Sequence, residues 1–210
     1  MMRVLLADDH PIVRAGVREL LSADPTISEI GEAGSGNETL LCLSLSRWDL
    51  LILDIDMPDR NGLDILLNVV SGYPDTKVLV LSGLPERQYA LRVLKAGASG
   101  YLAKECASED LLTAVHAVTQ GRRYVSAELA QSLASNSGLG STQSVHDCLS
   151  AREFQVLYKI ANGESIKAIG NELCLSAKTV SSYRTRMMDK MHFLTNADVT
   201  SYALRNELIQ

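Results

Sequence analysis

The hydrophobic positions follow two alternating rhythms over the first 120 residues and a single rhythm over the last 60. Residues 3–7, Arg-Val-Leu-Leu-Ala, form a short apolar run that stops at Asp8-Asp9. Uninterrupted bulky runs of this length suit strands buried on both faces. Ile12, Val13, Val17, Leu20 and Leu21 then recur at helical spacing, and Pro11 suits a first helical turn. Residues 28–33 are a weaker strand candidate. Ser35 and Glu38 form a capping-box pattern ahead of a helix through Leu40, Leu41, Leu43 and Leu45. Leu50-Leu51-Ile52-Leu53 is a second buried run. It stops at Asp54 and is followed by Asp56, Met57-Pro58 and the turn pair Asn61-Gly62. An apolar helix over 63–70 comes next, then a strand over 77–82 ending in Ser82. A helix over 86–95 is closed by Gly97. A short strand over 99–103 ends near Lys104. Ser108 and the acids Glu109 and Asp110 open a last helix, with Leu111, Leu112, Val115 and Val118 on one face up to Gly121.

Five strand–helix alternations predict an α/β domain: a five-stranded parallel sheet with helices on both faces. Right-handed crossovers leave few topologies, and the flavodoxin-like order is expected. Residues 122–147 break the rhythm. They hold Arg122-Arg123-Tyr124-Val125, a short helical pattern from Ala127 to Leu133, and the small polar stretch 135–144, a linker by composition. From Ser150 the pattern is helical only. Ser150 and Glu153 make a second capping box, before Phe154, Val156, Leu157, Ile160 and Ala161. A short helix over 165–173 and a longer one over 177–191 follow, the latter capped by Ser176 and striped by Val180, Tyr183, Met187 and Met191. Asn196 is the expected cap of a fourth helix. Tight turns between the second and third helices suggest a smaller all-α helix-turn-helix domain. The expected division is 1–121, a linker over 122–147, and 148–210.

The net charge of −5 conceals an asymmetry: residues 1–121 hold 10 Lys/Arg against 17 Asp/Glu. In the tail, Lys178, Arg184, Arg186 and Lys190 gather against Asp189 alone, a cluster suited to a polyanion. No apolar run approaches the ~20 residues of a membrane span, and the start of the chain does not read as a signal peptide. Cys42, Cys106, Cys148 and Cys174 are scattered without metal-ligand spacing, as expected of thiols in a reducing cytoplasm.

Asp8, Asp9, Asp54, Ser82 and Lys104 all stand at the carboxyl ends of expected strands, where open parallel sheets bind ligands. Asp54 alone reads equally well as a solvated strand end. The set reads differently. Three neighbouring carboxylates repel one another unless a cation intervenes, and oxygen ligands of this kind suit Mg²⁺. A fixed ammonium and a hydroxyl beside them fit a pocket that receives a phosphoryl group, with a carboxylate as nucleophile.

On these residues, residues 1–121 resemble the receiver domain of two-component response regulators. The matches are Asp8-Asp9, Asp54 before Met57-Pro58 and Gly62, Ser82 after Val78-Leu79-Val80-Leu81, and Gly100-Tyr-Leu-Ala-Lys104. The resemblance implies that Asp54 accepts phosphate from a histidine kinase. It implies that Asp9 and Asp54 bind Mg²⁺ directly, with the backbone carbonyl of Asp56, and Asp8 through water. It also implies that Ser82 and Tyr101 are a switch pair, Tyr101 turning inward on phosphorylation. An ordinary half-buried strand aromatic is the other reading of Tyr101. A competing enzyme class remains: Asp54-Ile55-Asp56 also resembles the nucleophile motif of haloacid-dehalogenase-type phosphatases, although that motif usually opens its domain. A third reading is a DNA-binding protein with a degenerate receiver.

The tail resembles the LuxR-type helix-turn-helix through Leu149-Ser150, Arg152-Glu153, Gly163, Ile169, Leu173, Leu175-Ser176, Thr179-Val180, Tyr183 and Lys190-Met191. The whole chain is similar to the NarL/FixJ class of regulators. That implies a DNA-binding transcription regulator, not an enzyme, which pairs into a homodimer when phosphorylated and reads double-stranded promoter DNA. The third helix is then the recognition helix, with Lys178, Thr179, Ser181, Ser182, Tyr183, Arg184, Thr185 and Arg186 on or near the DNA. Arg184, Arg186 and Lys178 suit phosphates; Ser181, Ser182 and Thr185 suit base edges. Three positions depart from the family pattern. Ser181 stands where Lys is common, Ile166 opens the second helix, and Gly170 sits inside it, where glycine costs ~1 kcal/mol against Ala.

Overall fold

The computed structural model describes residues 1–57, 59–60, 62–83, 86–136, 145–173, 175–206 and 208–209. Pro58 and Asn61 of the expected turn, residues 137–144 of the linker, and Cys174 lie outside the described residues. The chain divides into two compact units, Met1–Leu139 and Gly140–Gln210.

In the first unit, β1 (Met2–Ala7), β2 (Ile27–Ala33), β3 (Leu50–Leu53), β4 (Lys77–Ser82) and β5 (Gly100–Ala103) form one parallel sheet in the order β2-β1-β3-β4-β5. This is the expected flavodoxin-like order. Helices α1 (Pro11–Ser22), α2 (Gly36–Leu45), α3 (Gly62–Gly72) and α4 (Glu86–Lys95) make the crossovers, and α5 (Ala107–Thr119) follows β5. Val4, Leu6, Leu50, Ile52, Leu79, Leu81 and Leu102 form a core with Val17 and Leu21 of α1 and Leu111, Val115 and Val118 of α5. The alternate residues Leu5, Leu51, Leu53, Val78 and Val80 are equally buried, on the sheet's other face. Burial on both faces is why the strands read as continuous apolar runs.

Local chemistry departs from expectation at several points. Ser35 caps α2 through the Glu38 N–H, but the Glu38 carboxylate turns back to Gly34 N–H at 2.6 Å rather than to Ser35, so the box is not closed. Helix α5 begins at Ala107, after a short turn over Lys104–Cys106, which puts Ser108 inside it. The segment after α5 is not free linker. Tyr124 joins the outer edge of β5: Tyr101 N–H donates to Tyr124 O at 2.9 Å, and Tyr124 N–H to Ser99 O at 3.1 Å. Helix α6 (Ala127–Asn136) then runs two residues into the stretch expected to be linker.

Gly62 illustrates how the loop after β3 is held. A methyl group there would lie 2.4 Å from Ile55 Cα and 2.7 Å from Ile55 O, both backbone atoms that cannot swing aside. Gly62 N–H also donates to Ile55 O at 3.3 Å. The Gly62→Ala protein is expected to lose about 1–3 kcal/mol of stability, the usual range for overpacking, in urea unfolding. A variant as stable as wild type would show that the loop yields.

The second unit packs α7 (Ala151–Ala161), α8 (Ile166–Glu172), α9 (Ala177–Met191) and α10 (Asn196–Arg205) around Phe154, Val156, Leu157, Ile169, Val180, Met187 and Val199. The Ser150–Glu153 capping box is complete. The cap of α10 is Thr195, reciprocated by Asp198, rather than Asn196, which is the helix's first residue. Lys159 is buried and pairs with Glu172, tying α7 to α8.

Candidate functional site

The parallel ladder brings the chemistry to one edge of the sheet. Asp54 N–H donates to Ala7 O at 2.8 Å and Asp8 N–H to Ala33 O at 3.1 Å, so pairing continues one residue past β3 and β1 and fixes both acids. Lys104, the first residue after β5, reaches across. Its Nζ lies 2.7 Å from Asp54 Oδ2 and 2.8 Å from Asp8 Oδ2; the first is an aligned hydrogen bond and the second an ion pair without that alignment. Asp54 Oδ1 accepts Asp56 N–H at 3.0 Å. Asp8 Oδ1 accepts His10 N–H at 2.7 Å. Asp8, Asp54, Ser82 and Tyr101 are essentially sealed from solvent, each at most 1 % exposed.

Burial raises the Asp54 pKa above the ordinary carboxylate value. Lys104 and the Asp56 N–H oppose this, and the Asp8 charge adds to it. Burial on its own would lower the Lys104 pKa, but Asp54 and Asp8 outweigh it and the ammonium is held more firmly than usual. The two partners differ because the Asp54 side chain is 1 % exposed and that of Lys104 is 19 %. One lysine offsets one of three acids. The remaining negative charge suits a divalent cation: ligand atoms of Asp8, Asp9, His10 and Asp54 all lie within 4.8 Å of one another. The Asp56 carboxylate is outside that group, and Asp56 meets the pocket through its backbone.

Ser82, at the end of β4, and Tyr101, in β5, are already in contact: the phenol and the Ser82 side chain share a hydrogen bond. Burial, the largest effect, pushes the phenol above its ordinary pKa. Tyr101 therefore lies inward, fully buried. This corrects the half-buried reading of the ring.

Two residues of this neighbourhood escaped the sequence reading. His10 Nδ1 lies 2.8 Å from Asp9 Oδ1. Arg14 Nη1 donates to Asp8 O at 2.7 Å while its Nε donates to Glu32. A histidine directly after a strand-end acid pair was the available signal for the first.

In the second unit, α9 buries Val180, Met187, Met188 and Met191 and leaves Lys178, Ser181, Ser182, Thr185 and Arg186 exposed. Thr179, Tyr183 and Arg184 are half-buried. The hydroxyls of Ser181, Ser182 and Thr185 donate to carbonyls four residues back, and Thr179 pairs with the capping Ser176. Arg184 Nε donates to Asn196 Oδ1 at 2.9 Å, and Arg186 lies over the Tyr183 ring. Lys190 leaves the expected basic cluster: its Nζ lies 2.6 Å from Glu153 Oε2, joining α9 to α7. Gly170 is explained by its surroundings. A methyl there would sit 2.8 Å from Leu175 O, at the turn into α9, where Leu175 N–H donates to Gly170 O. Ile166 is half-buried.

A doubly wound sheet with these strand-end residues, joined to a four-helix tail, defines a response regulator. Residues 4–116 match the response regulator receiver domain, and residues 147–203 match the bacterial regulatory proteins of the luxR family. The chain belongs to the two-component response regulators of the NarL/FixJ class. It is 34% identical over 209 residues to the response regulator GacA of Pseudomonas protegens, covering 100% of this chain and 98% of that one. It is also 34% identical to the response regulator UvrY of Escherichia coli K12, covering 99% and 96%. Among solved structures it resembles RcsB of Salmonella enterica serovar Typhimurium bound to promoter rprA in the presence of the phosphomimetic BeF3−. The TM-score is 0.67 at 26% identity, covering 96% of this chain and 97% of that one. Among the described residues no helix is long and apolar enough to cross a membrane.

Proposed function

We propose that Asp54 accepts a phosphoryl group from a histidine kinase, and that this modification drives homodimerisation and binding of the tail to double-stranded promoter DNA. The observation that carries the reading is Lys104 Nζ bridging the buried Asp54 and Asp8 carboxylates at 2.7 and 2.8 Å. Asp54 Oδ2 attacks phosphorus, a P–O bond forms as the bond to the kinase histidine breaks, and the leaving ring nitrogen keeps the electron pair. Lys104 is placed to exchange its contact with Asp8 for one to a phosphoryl oxygen. Asp8, Asp9 and Asp54, with the backbone carbonyl of Asp56, would hold Mg²⁺, which when bound supplies positive charge against the carboxylates and the phosphoryl oxygens. The chain is an acceptor rather than a turnover catalyst, and it works in the cytoplasm.

The switch then turns on Ser82, whose hydroxyl moves toward the phosphoryl oxygens with Tyr101 inward behind it. Moving a two-state population from 1:99 to 99:1 takes about 5.5 kcal/mol of differential stabilisation. Charge-assisted hydrogen bonds from Ser82 and Lys104 to an oxyanion are of a strength to supply most of it. RcsB bound to promoter rprA in the presence of a phosphomimetic supports promoter binding by the phosphorylated form here.

The test is selection of duplexes from a random pool, with and without a small phosphodonor and Mg²⁺, alongside sedimentation of the protein. Phosphodonor is expected to produce dimers and to enrich two half-sites about one DNA turn apart. Unchanged sedimentation with the same enriched sequences in both arms would overturn the reading.

A further inference from the structure

We infer that His10 is a nitrogen ligand of the divalent-cation pocket and biases it toward a first-row transition ion such as Mn²⁺ over Mg²⁺. The inference deepens the proposed function and rests on its reading of the pocket as a cation site. Its basis is the placement of one ring nitrogen. His10 Nδ1 lies 2.8 Å from Asp9 Oδ1 and 3.4 Å from Asp8 Oδ1. Adjacent ligands of an octahedral ion bound at 2.0–2.1 Å stand about 2.9 Å apart, and opposite ones about 4.2 Å. The two separations at His10 are therefore close to those between neighbouring ligands on one ion. The full spread of 4.8 Å across Asp8, Asp9, His10 and Asp54 needs only a small contraction.

The backbone prepares this arrangement. His10 N–H is spent on Asp8 Oδ1 at 2.7 Å, which orients the acid and anchors the residue that carries the ring. The residue lies directly ahead of Pro11, the first residue of α1, in extended conformation. The His10 side chain is largely exposed and that of Asp9 partly so, which leaves both open to an ion from solvent. Chemically, a fourth donor that is an imidazole changes the site's selectivity. Carboxylate and water suit Mg²⁺ and Mn²⁺ alike, whereas imidazole favours transition ions and adds little for Mg²⁺.

The experiment uses the full-length protein, wild type and His10→Ala, titrated calorimetrically with MgCl₂ and, separately, with MnCl₂. The Mn²⁺-loaded proteins are then examined by pulsed electron paramagnetic resonance for coupling to ¹⁴N. The alanine variant keeps the N–H that holds Asp8 and the other three histidines. Wild type is expected to show nitrogen coupling that the variant lacks. Mn²⁺ affinity is expected to fall about tenfold in the variant, at the lower end of losses seen when a metal site loses a supporting group, with Mg²⁺ affinity changing far less. Equal losses for both ions would make His10 an orienting partner of Asp9 and overturn the inference, as would nitrogen coupling that survives in the variant. If neither ion binds wild type, the cation reading of the pocket fails along with it. If both ions bind and the variant changes nothing, only the role of His10 fails.

Discussion

The Asp54→Asn protein is expected to take up no phosphoryl label from a small phosphodonor in Mg²⁺, while being more stable than wild type at neutral pH. The amide is nearly isosteric and keeps an oxygen for the Asp56 N–H that Asp54 Oδ1 now accepts at 3.0 Å, so the pocket's shape survives. It has no carboxylate lone pair with which to attack phosphorus. The stability gain follows from the raised pKa of Asp54, caused first by burial. A carboxyl whose folded pKa is raised contributes stability that is complete below its unfolded pKa, here the ordinary aspartate value of 3.8, and is lost as pH rises through the folded pKa. At pH 7 wild type carries that loss and the amide does not. The gap in urea midpoint, followed by the fluorescence of the buried Trp48, is therefore expected to open as pH rises from about 4 and to stay open to about 7.5. Label on the variant equal to that on wild type would move the acceptor to Asp8 or Asp9. A variant less stable at every pH would mean that the lost bond to Lys104 outweighs the relief of burial.

What could be read in the sequence was local or periodic. Strands buried on both faces spell themselves out as apolar runs, and a parallel sheet puts every run's end at one edge. Asp8, Asp54, Ser82 and Lys104 could thus be assigned to one pocket from their positions alone. Features that depend on a distant partner left no such trace. Lys190 reads as part of a basic cluster until Glu153, 37 residues earlier, is seen to hold it. Tyr124 sits in a segment with no periodicity, and only the open edge of β5 explains why it pairs with Ser99 and Tyr101. Gly170 looks like a weak point in a helix until Leu175 O is found where its methyl would be. The choice of cap for α10 failed for a subtler reason. Thr195 and Asn196 are adjacent and both good caps, and Asp198 decides between them by returning its carboxylate to Thr195 N–H at 2.7 Å. The full burial of Tyr101 was beyond reach because a strand's pattern gives the face of a side chain but not its rotamer.

Binding of the phosphorylated protein to its selected duplex is expected to weaken about a thousandfold between 50 and 200 mM salt, the lower end for proteins making six to ten phosphate contacts. The cations that α9 leaves available set this dependence. Lys178 and Arg186 are exposed, Arg184 is half-buried, and Lys190 is engaged with Glu153. Three per copy give about six in a dimer, and a slope of about −5 in log affinity against log salt. Arg184 and Arg186 are already steered, by Asn196 and by the Tyr183 ring, so less side-chain freedom is lost when they meet phosphate. The hydroxyls of Ser181, Ser182 and Thr185 donate to the helix's own carbonyls and keep their acceptor lone pairs outward, which suits base-edge donors and adds nothing to the salt slope. Ser181→Lys then separates the two kinds of contact. It adds one cation per copy, so the slope is expected to steepen by about two in the dimer, while preference for the selected sequence falls at whichever base Ser181 faces. A slope near zero for wild type would mean that the exposed cations of α9 do not lie on the phosphate backbone. A steep slope left unchanged by the added lysine would place position 181 away from the duplex, with the contacting face of α9 rotated toward Lys178 and Arg186.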